Sequence, residues 1–293
     1  MIAGPPNPEG GGLRWESLLG RITMPVGWVA GLSLASALAR TAFRQQLAYR
    51  GAALGGLVTN AVFGAFLASI YGALYVARDG APIGDFDPTA ALTYVWLVQA
   101  LIVPTLVWGS WDIALSIRSG EIVFDLLKPY SYFGYWLSRD LGRAGAGILM
   151  RMIPTFTIGL IFYTLVVPDH PVRVLAFAAS VVLAVLLSFS LRFIVNLIAF
   201  WWTDLQGLRS GQLVLFSFLS GFLLPIGFYP GWLRAALNVL PFRGIIMSPI
   251  DIWLGDGNVP LLLFGQAGWF VVTVLVANWL FQIAVRRVVV QGG

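Results

Sequence analysis

The chain has 293 residues, of which 58% are hydrophobic and only 11% are Asp, Glu, Lys or Arg, and its formal net charge is +5. A soluble domain carries about a quarter charged residues, so this composition excludes an ordinary soluble fold and predicts an integral membrane protein. Because the chain contains no cysteine, disulfides, thiolate metal sites and cysteine nucleophiles are also excluded.

Hydropathy predicts about six membrane-spanning helices, because a span requires about 20 mostly apolar residues and lipid-exposed backbone must satisfy its own hydrogen bonds. The predicted spans are 52–77, 89–115, 144–167, 174–202, 212–228 and 260–284. The predicted fold class is an all-α integral membrane protein. Its two parts are an N-terminal cytoplasmic and interfacial segment at 1–50 and a six-helix transmembrane domain at 51–293.

The positive charges near the ends of these spans predict that both termini lie in the cytoplasm. Most basic residues then fall on cytoplasmic flanks, as membrane proteins prefer, and the external loops hold only Arg78, Arg173, Arg234 and Arg243. An apolar stretch at 22–39 has the composition of a signal peptide or a seventh span. Either would export the arginines at positions 40, 44 and 50, so we interpret the stretch as an interfacial segment on the inner membrane surface.

The first span carries a stripe of small residues at every fourth position: Gly56, Asn60, Gly64, Ala68 and Gly72. This spacing places them on one helix face, where another helix can approach closely. Two interpretations remain open from the sequence. The stripe either packs against other helices of this chain, or forms a subunit interface or the wall of a pathway with Asn60 as its polar point.

The loop after the second span is unusual because charged residues are interspersed among apolar ones: "IRSGEIVFDLLKPYSYF". Pro129 disfavours helical geometry at Lys128, and Ser119 is a candidate cap, so we predict a short helix at 121–127. Its apolar side comprises Ile122, Val123, Leu126 and Leu127, with Phe124 and Asp125 on the remaining surface. Such a helix is suited to a groove in another protein. The alternative is a helix lying on lipid, which would bring Glu121 and Asp125 against anionic headgroups.

Two arginines fall inside predicted spans, Arg151 in the third and Arg192 in the fourth. A charge at such a depth is costly, so each arginine either extends its side chain to the headgroups or pairs with an acid. The acids near that level are Asp112, Asp140 and Asp204. Contact with a transported substrate is the alternative interpretation.

The connection between the fifth and sixth spans, at 223–257, is broken by prolines yet remains apolar. Prolines interrupt helices, so this pattern predicts short half-helices that dip into the outer leaflet and pack on protein. An amphipathic external loop is the alternative. The residues that define this segment are Pro225, Pro230, Trp232, Pro241, Phe242 and Pro249.

The sequence offers little for catalysis. Its one histidine, His170, has no second histidine with which to share a metal. Its lysine, Lys128, follows leucine, so the chain contains no G-x-x-x-x-G-K-[ST] phosphate loop. We therefore predict no catalytic residue, no metal and no cofactor bound by this chain.

Several stretches together resemble the membrane subunit of type-2 ABC exporters, in the bacterial branch that keeps the ATPase on a separate chain. The most specific are the loop quoted above and "FYPGWLRAALNVLPFRGIIMSPIDIWLGDG"; "LAYRGAALGGL" and "FWWTDLQGL" add to them. The resemblance implies a multi-pass protein of the bacterial cytoplasmic membrane. It also implies a coupling helix that docks the ATPase, formed by Ser119, Gly120, Glu121, Ile122, Phe124, Asp125, Leu127, Lys128 and Pro129.

The same resemblance implies that the chain acts as a permease dimer, with a homodimer and a heterodimer both possible, and that the first and fifth spans lie near the dimer axis. ATP and Mg²⁺ would then bind to the partner ATPase. The family exports drugs, peptides, lipids and polysaccharides, and the sequence does not select among them. Two alternatives from other classes are a secondary transporter, which needs an acid at mid-depth, and a non-transporting membrane assembly protein.

Overall fold

A computed structural model describes residues 28–128, 130–202 and 204–286, and within these ranges the regular secondary structure is helical, without a β-strand. The helices in chain order are α1 (Trp28–Ala48), α2 (Arg50–Val76), α3 (Pro88–Thr105), α4 (Asp112–Ser119), α5 (Ile122–Leu126), α6 (Tyr132–Gly147), α7 (Ile153–Phe162), α8 (Pro171–Leu197), α9 (Leu205–Leu219), α10 (Gly231–Val239), α11 (Met247–Leu254) and α12 (Val259–Val285). A π-helical turn, Ile148–Met152, joins α6 to α7, and 3₁₀ turns lie at Ile198–Phe200, Ile226–Phe228 and Pro241–Ile245.

Five helices are long and apolar enough to cross a membrane: Arg50–Val76, Pro88–Thr105, Tyr132–Phe162, Pro171–Phe200 and Val259–Val285. They coincide with five of the predicted spans, and the all-α membrane fold is confirmed. The predicted fifth span at 212–228 is different. Its helix, α9, has 15 residues and ends at Leu219, because Gly221 follows in a left-handed conformation with a φ of 78°. At about 1.5 Å per residue α9 is about 22 Å long, which is shorter than the hydrocarbon core.

Two other spans have ends that hydropathy did not locate. The second stops at Thr105 and not at 115, because Leu106, two residues after Pro104, takes a left-handed φ of 46°. The third begins at Tyr132 and not at 144, with Ser131 as its N-cap, whose hydroxyl accepts a hydrogen bond from the Gly134 amide at 3.2 Å. The part of this helix before residue 144 contains Arg139, Asp140 and Arg143, and these charges lower its mean hydropathy, so hydropathy alone does not predict it as part of a span.

The core of the fold lies around α3 and α8. Within the most apolar window of each helix, 78% of the α3 residues and 50% of the α8 residues are buried, whereas α2 and α12 each have 17%. α11 packs on this centre, with the Trp253 ring 4.9 Å from Phe177 of α8 and 5.0 Å from Phe156 of α7. The peripheral helices α2 and α12 therefore present apolar surface outward, as membrane-facing helices do.

The predicted N-terminal interfacial segment, 22–39, lies partly outside the described residues, and its remainder belongs to α1. This helix packs closely on α6. The Ala39 carbonyl oxygen occupies the space that a side chain at Gly142 would need, and a Cβ at Gly145 would lie 3.6 Å from the Phe43 ring. Arg40 and Arg44 remain exposed. Glycine in α6 thus permits this close helix contact, and the depth of α1 in the membrane stays a prediction.

Candidate functional site

The loop between α3 and α6, where the sequence predicts a docking helix, contains two short helices. α4 ends at Ser119, and Gly120 follows with a φ of 78°. α5 has only five residues, Ile122–Leu126, with Glu121 at its N-cap position. The helix predicted at 121–127 is therefore present and is one residue shorter at each end.

Ser119 does not have the capping role that the sequence suggested. It is the last residue of α4, and its Oγ accepts a long hydrogen bond of 3.5 Å from the Glu121 amide, but the N-cap of α5 is Glu121 and α5 has no side-chain cap. The side chain of Glu121 is exposed. Pro129, which was expected to end the helix, lies outside the described residues.

The apolar residues of α5 point in two directions. Ile122 is only 2% exposed, whereas Phe124 is 68% exposed, and Leu127, directly after the helix, is 64% exposed. The single apolar side expected from the sequence is thus corrected, because a helix of five residues turns Ile122 inward while Val123 and Phe124 remain outside. Ile122 anchors the helix, while Val123 and Phe124 present apolar surface to the outside.

The charges of this loop are partly neutralised within it. Lys128 Nζ donates a hydrogen bond to Asp125 Oδ1 at 2.7 Å, and this bond raises the pKa of Lys128 above its ordinary value. Lys128 also lies 5.6 Å from the centre of the Tyr135 ring. Glu121 and Asp125 border a cleft of about 720 Å³, which is also lined by Asp112, Leu115, Ser116, Arg118, Ser119, Tyr135, Trp136 and Arg139. The surface around α5 is therefore a polar cleft beside exposed apolar side chains.

Ile122 connects α5 to three long helices through one apolar cluster. The cluster comprises Ile113, Ile122, Tyr132, Phe133, Phe189, Phe193, Leu197, Ala277 and Phe281. At its centre the Tyr132 ring of α6 stacks on Phe281 of α12, with 5.1 Å between the ring centroids, and Phe193 of α8 lies beside both. A displacement of α5 would thus press on α6, α8 and α12 together, because a densely packed interior transmits strain.

A buried charge cluster lies beside this apolar cluster, on the same stretch of α8, with the Arg192 guanidinium 5.8 Å from the centre of the Phe189 ring. Arg192 is 1% exposed, and its Nη2 donates to Asp140 Oδ2 at 2.8 Å. Asp140 also accepts from Arg143 Nε at 3.0 Å, and Arg143 donates to the carbonyl oxygen of Val103 at 2.7 Å. Of the three acids that the sequence offered to Arg192, Asp140 is its partner. Asp204 instead caps α9.

Asn196, one turn after Arg192, holds the segment that leads into α4. Its Nδ2 donates to the Ser110 carbonyl oxygen at 2.9 Å, and its Oδ1 accepts from the Ala114 amide at 2.9 Å. Arg192 Nη1 adds a bond to Ser110 Oγ at 2.8 Å. The sequence analysis did not select Asn196, Ser110 or Arg143. The available signal was polar residues at helical spacing, Arg192 with Asn196 and Asp140 with Arg143, next to an apolar span.

Arg151 has a different environment from Arg192. Its Nη2 donates to the Gly56 carbonyl oxygen at 2.7 Å and to Asn60 Oδ1 at 2.8 Å, both on α2. Among the described residues it forms no ion pair with an acid. The side chain thus reaches sideways to a neighbouring helix, which is neither of the two arrangements expected from the sequence.

The small-residue stripe of α2 faces inward for most of its length. Asn60 donates to the Gln99 carbonyl oxygen of α3 at 3.0 Å, and a Cβ added at Gly64 would lie 3.0 Å from the Trp96 ring. Ala68 is buried, whereas Gly72 has open space beside it. From Gly56 to Ala68 the stripe is therefore filled from within this chain, which corresponds to the first of the two interpretations left open above.

The proline-interrupted segment consists of short helical pieces, as the sequence predicts. The turn at Ile226–Phe228 follows Pro225, α10 follows Pro230, and a 3₁₀ turn begins at Pro241. Pro249 is different, because it lies within α11. Most of α11 is buried against the core, Phe242 packs at its edge, and Trp232 of α10 is 74% exposed. The segment thus packs on protein, while its depth in the membrane stays a prediction.

A family model described as "ABC-2 family transporter protein" matches residues 63–292, which include α5, the buried charge cluster and the proline-interrupted segment. No curated protein and no solved structure matches the chain significantly. The family match covers most of the chain, and together with five membrane-crossing helices it identifies a multi-pass permease of a kind that works with an ABC ATPase. The chain belongs to the ABC-2 family of transporter proteins.

Proposed function

We propose that the chain is the permease subunit of an ATP-driven exporter and that α5, with the residues around it, docks a separate ATPase chain. The observation that carries this proposal is that one apolar side chain of α5 is buried in the core while another is exposed on the surface. Ile122 is buried in the core, while Phe124 on the same short helix and Leu127 directly after it are exposed. A buried anchor beside exposed apolar residues suits a helix that is fixed to its own protein and inserts into a partner's groove.

Two sets of contacts provide a route from α5 into the membrane helices. The first runs through Ile122 into the aromatic rings of α6, α8 and α12. The second runs along the chain to α4, whose first turn is held by Asn196, and then to Arg192 and Asp140. When ATP closes the ATPase pair, movement of α5 would shift α6 and α8 relative to α3. ATP can drive this shift only through different affinities for the two states of the permease.

We infer that a second permease completes the translocation pathway. The space around α3 is filled by side chains of this chain: Trp96 packs against Gly64 of α2 and Gly159 of α7, and Leu97, Leu101 and Leu187 are each at most 1% exposed. A substrate pathway therefore requires a wall from another chain, and a homodimer or a heterodimer would supply it. Since the stripe from Gly56 to Ala68 is occupied from within, the outward side of α2 is the better candidate for the contact.

The alternative of a secondary transporter finds less support in the charge cluster. Such a transporter needs an acid that gains and loses a proton or ion during the cycle. Asp140 is buried, but its carboxylate is held by Arg192 and Arg143 at 2.8 and 3.0 Å. Two guanidinium groups favour the charged carboxylate, so this acid is poorly suited to proton exchange.

The test is to purify the full chain from its native membrane and identify the ATPase that accompanies it. We expect no ATP hydrolysis by the permease alone and robust turnover once the ATPase is added in a reconstituted membrane. In this complex Glu121→Lys should lower ATPase recovery, because it reverses an exposed charge next to the proposed contact. Arg78→Gln, two residues after the end of α2 and on the predicted external side, is the control. ATP turnover by the contaminant-free permease alone would contradict the proposal.

A further inference from the structure

The segment 106–111, between α3 and α4, breaks a span that hydropathy alone continues to residue 115. Two of its residues, Leu106 and Gly109, take left-handed backbone conformations with φ of 46° and 90°. Glycine adopts such a conformation readily, whereas leucine does so at a cost because of its Cβ atom. A strained residue of this kind persists only where the surrounding contacts hold it. The break, as we call 106–111, is therefore kept in its shape by the helices around it.

Side chains of α6 and α8 hold the break and the end of α3 through backbone carbonyl groups. Arg143 donates to the Val103 carbonyl oxygen at 2.7 Å, and Ser188 Oγ donates to that of Thr105 at 2.5 Å. Asn196 of α8 donates to a carbonyl oxygen within the break at 2.9 Å. Because the last carbonyl groups of a helix lack partners within it, these bonds stabilise the interruption. Two of the long helices thus fix the present conformation of the break.

The contact between α9 and the break is incomplete. The side chain of Gln212 lies so close to Gly109 that an added Cβ there would be 2.5 Å from Nε2. Gln212 is only 3% exposed, yet neither its Nε2 nor its Oε1 has a hydrogen-bond partner among the described residues. In the unfolded chain this amide is bonded to water, so burying it without partners lowers the stability of the present conformation.

Gln266 of α12 shows how a buried amide is normally satisfied in this fold. It is 2% exposed, and its Oε1 accepts from Ser180 Oγ at 2.8 Å. Its Nε2 donates to the carbonyl oxygens of Ser180 and Gly244 at 3.1 and 2.8 Å. The two glutamines are equally buried, but only Gln266 has its bonds. Buried polar groups without partners are rare in native structures, so the state of Gln212 requires an explanation.

The remaining contacts between α9 and the break involve rings. The Arg209 guanidinium lies 5.6 Å from the centre of the Trp111 ring, and Trp108 packs edge-on against Phe222, just beyond α9, at 5.9 Å. Within the described ranges no hydrogen bond joins α9 to the break, in contrast to the bonds from α6 and α8. Ring contacts are less directional than hydrogen bonds, so the break can move along α9 without losing a bond to it.

We propose that the break is a hinge with two conformations and that Gln212 stabilises the second one. When α4 moves with α5, the Gln212 amide would form hydrogen bonds with the backbone of the break, replacing bonds that α6 and α8 now supply. The inference rests on the proposed function, since closure of the ATPase would drive the movement. An amide that is unpaired in one conformation and paired in the other brings their free energies closer together. The ATPase can then shift the equilibrium through a moderate difference in affinity.

The first experiment measures thermal unfolding of the full permease without its ATPase. Gln212→Met should raise the midpoint by about 2–4 °C, because methionine fills a similar volume and has no amide to leave unpaired. Gln266→Met is the matched control. It removes an amide whose hydrogen bonds are made and leaves groups of Ser180 and Gly244 without partners, so it should lower the midpoint.

The second experiment follows the movement of α4 past α9 in the complex with the ATPase. Because the chain contains no cysteine, spin labels can be attached at Leu115→Cys on α4 and Ser210→Cys on α9, which are both exposed. We expect ATP to change the distance between the labels. With Gln212→Met, half of this change should require about tenfold more ATP, equivalent to about 1.4 kcal/mol. Binding of the ATPase to the labelled chains is measured in parallel.

Three results would overturn the hinge. A lower midpoint for Gln212→Met, as for Gln266→Met, would show that the amide already has partners, such as a buried water. Equal ATP dependence of the label distance in the wild type and Gln212→Met would show that the amide does not stabilise a second conformation. A distance that ATP leaves unchanged in a complex that has formed would show that the break does not move. Failure of any ATPase to bind the wild type would instead contradict the proposed function, and this inference with it.

Discussion

Phe124→Ala tests the docking surface directly, because this side chain is exposed in the permease alone. We expect the variant to fold, insert and resist heating as the wild type does, since exposed substitutions usually change stability by within about 0.5 kcal/mol. In the complex it should weaken binding of the ATPase and reduce coupled ATP turnover. Stability should stay unchanged while ATPase binding weakens, because the proposed partner of Phe124 is on another chain.

The exposure of Phe124 sets the size of the expected loss. The side chain is 68% exposed. A phenylalanine that is fully covered buries about 150–250 Å², so docking would remove about 100–170 Å² from water. At ~25 cal/mol per Å² this is at most about 2.5–4 kcal/mol. Ordering of side chains in the contact offsets part of it, so we expect a loss of about 1–3 kcal/mol in binding.

Ile122→Ala is the matched control on the same helix. Ile122 is 2% exposed, so its truncation leaves a cavity in the aromatic cluster and should cost about 2–5 kcal/mol of stability. Thermal unfolding in detergent and titration of the ATPase onto the reconstituted permease measure the two quantities independently. If Phe124→Ala binds the ATPase with wild-type affinity, α5 is not the docking element. If it unfolds as readily as Ile122→Ala, the described exposure of Phe124 is wrong.

Two further predictions concern the membrane helices. Gly64→Leu should lower the free energy of unfolding by about 1–3 kcal/mol, because the Trp96 ring occupies the space beside Gly64. Gly72→Leu should be tolerated, since the space beside Gly72 is open. Equal losses in the two variants would contradict the inward orientation of the stripe. Arg192→Met should lower the free energy of unfolding by about 3–5 kcal/mol, because it leaves Asp140 buried without its main partner. In a double-mutant cycle, adding Asp140→Asn should recover part of this loss. Strictly additive losses would show that the pair does not interact.

Hydropathy and local chemistry were sufficient for the class of this protein and for most of its elements. Five spans appear where apolar runs of about 20 residues predict them, because the bilayer requires that length regardless of how the helices pack. The breaks at Pro225, Pro230 and Pro241 were equally local, since proline removes a hydrogen-bond donor wherever it occurs. The resemblance to type-2 ABC permeases is confirmed by the family match over residues 63–292.

The tertiary structure decided which side chains meet. Three acids were available to Arg192 in the sequence, and only the packing of α6 against α8 selects Asp140. Periodicity placed Gly64 on a smooth face, but whether that face meets Trp96 or another subunit depends on the position of α3. In α5 the pattern alone could not distinguish the anchor Ile122 from the exposed Phe124, because the direction of a five-residue helix is set by the aromatic cluster beneath it. Local sequence thus determines where long apolar helices cross the membrane, and contacts between distant residues determine which of their faces remain available for function.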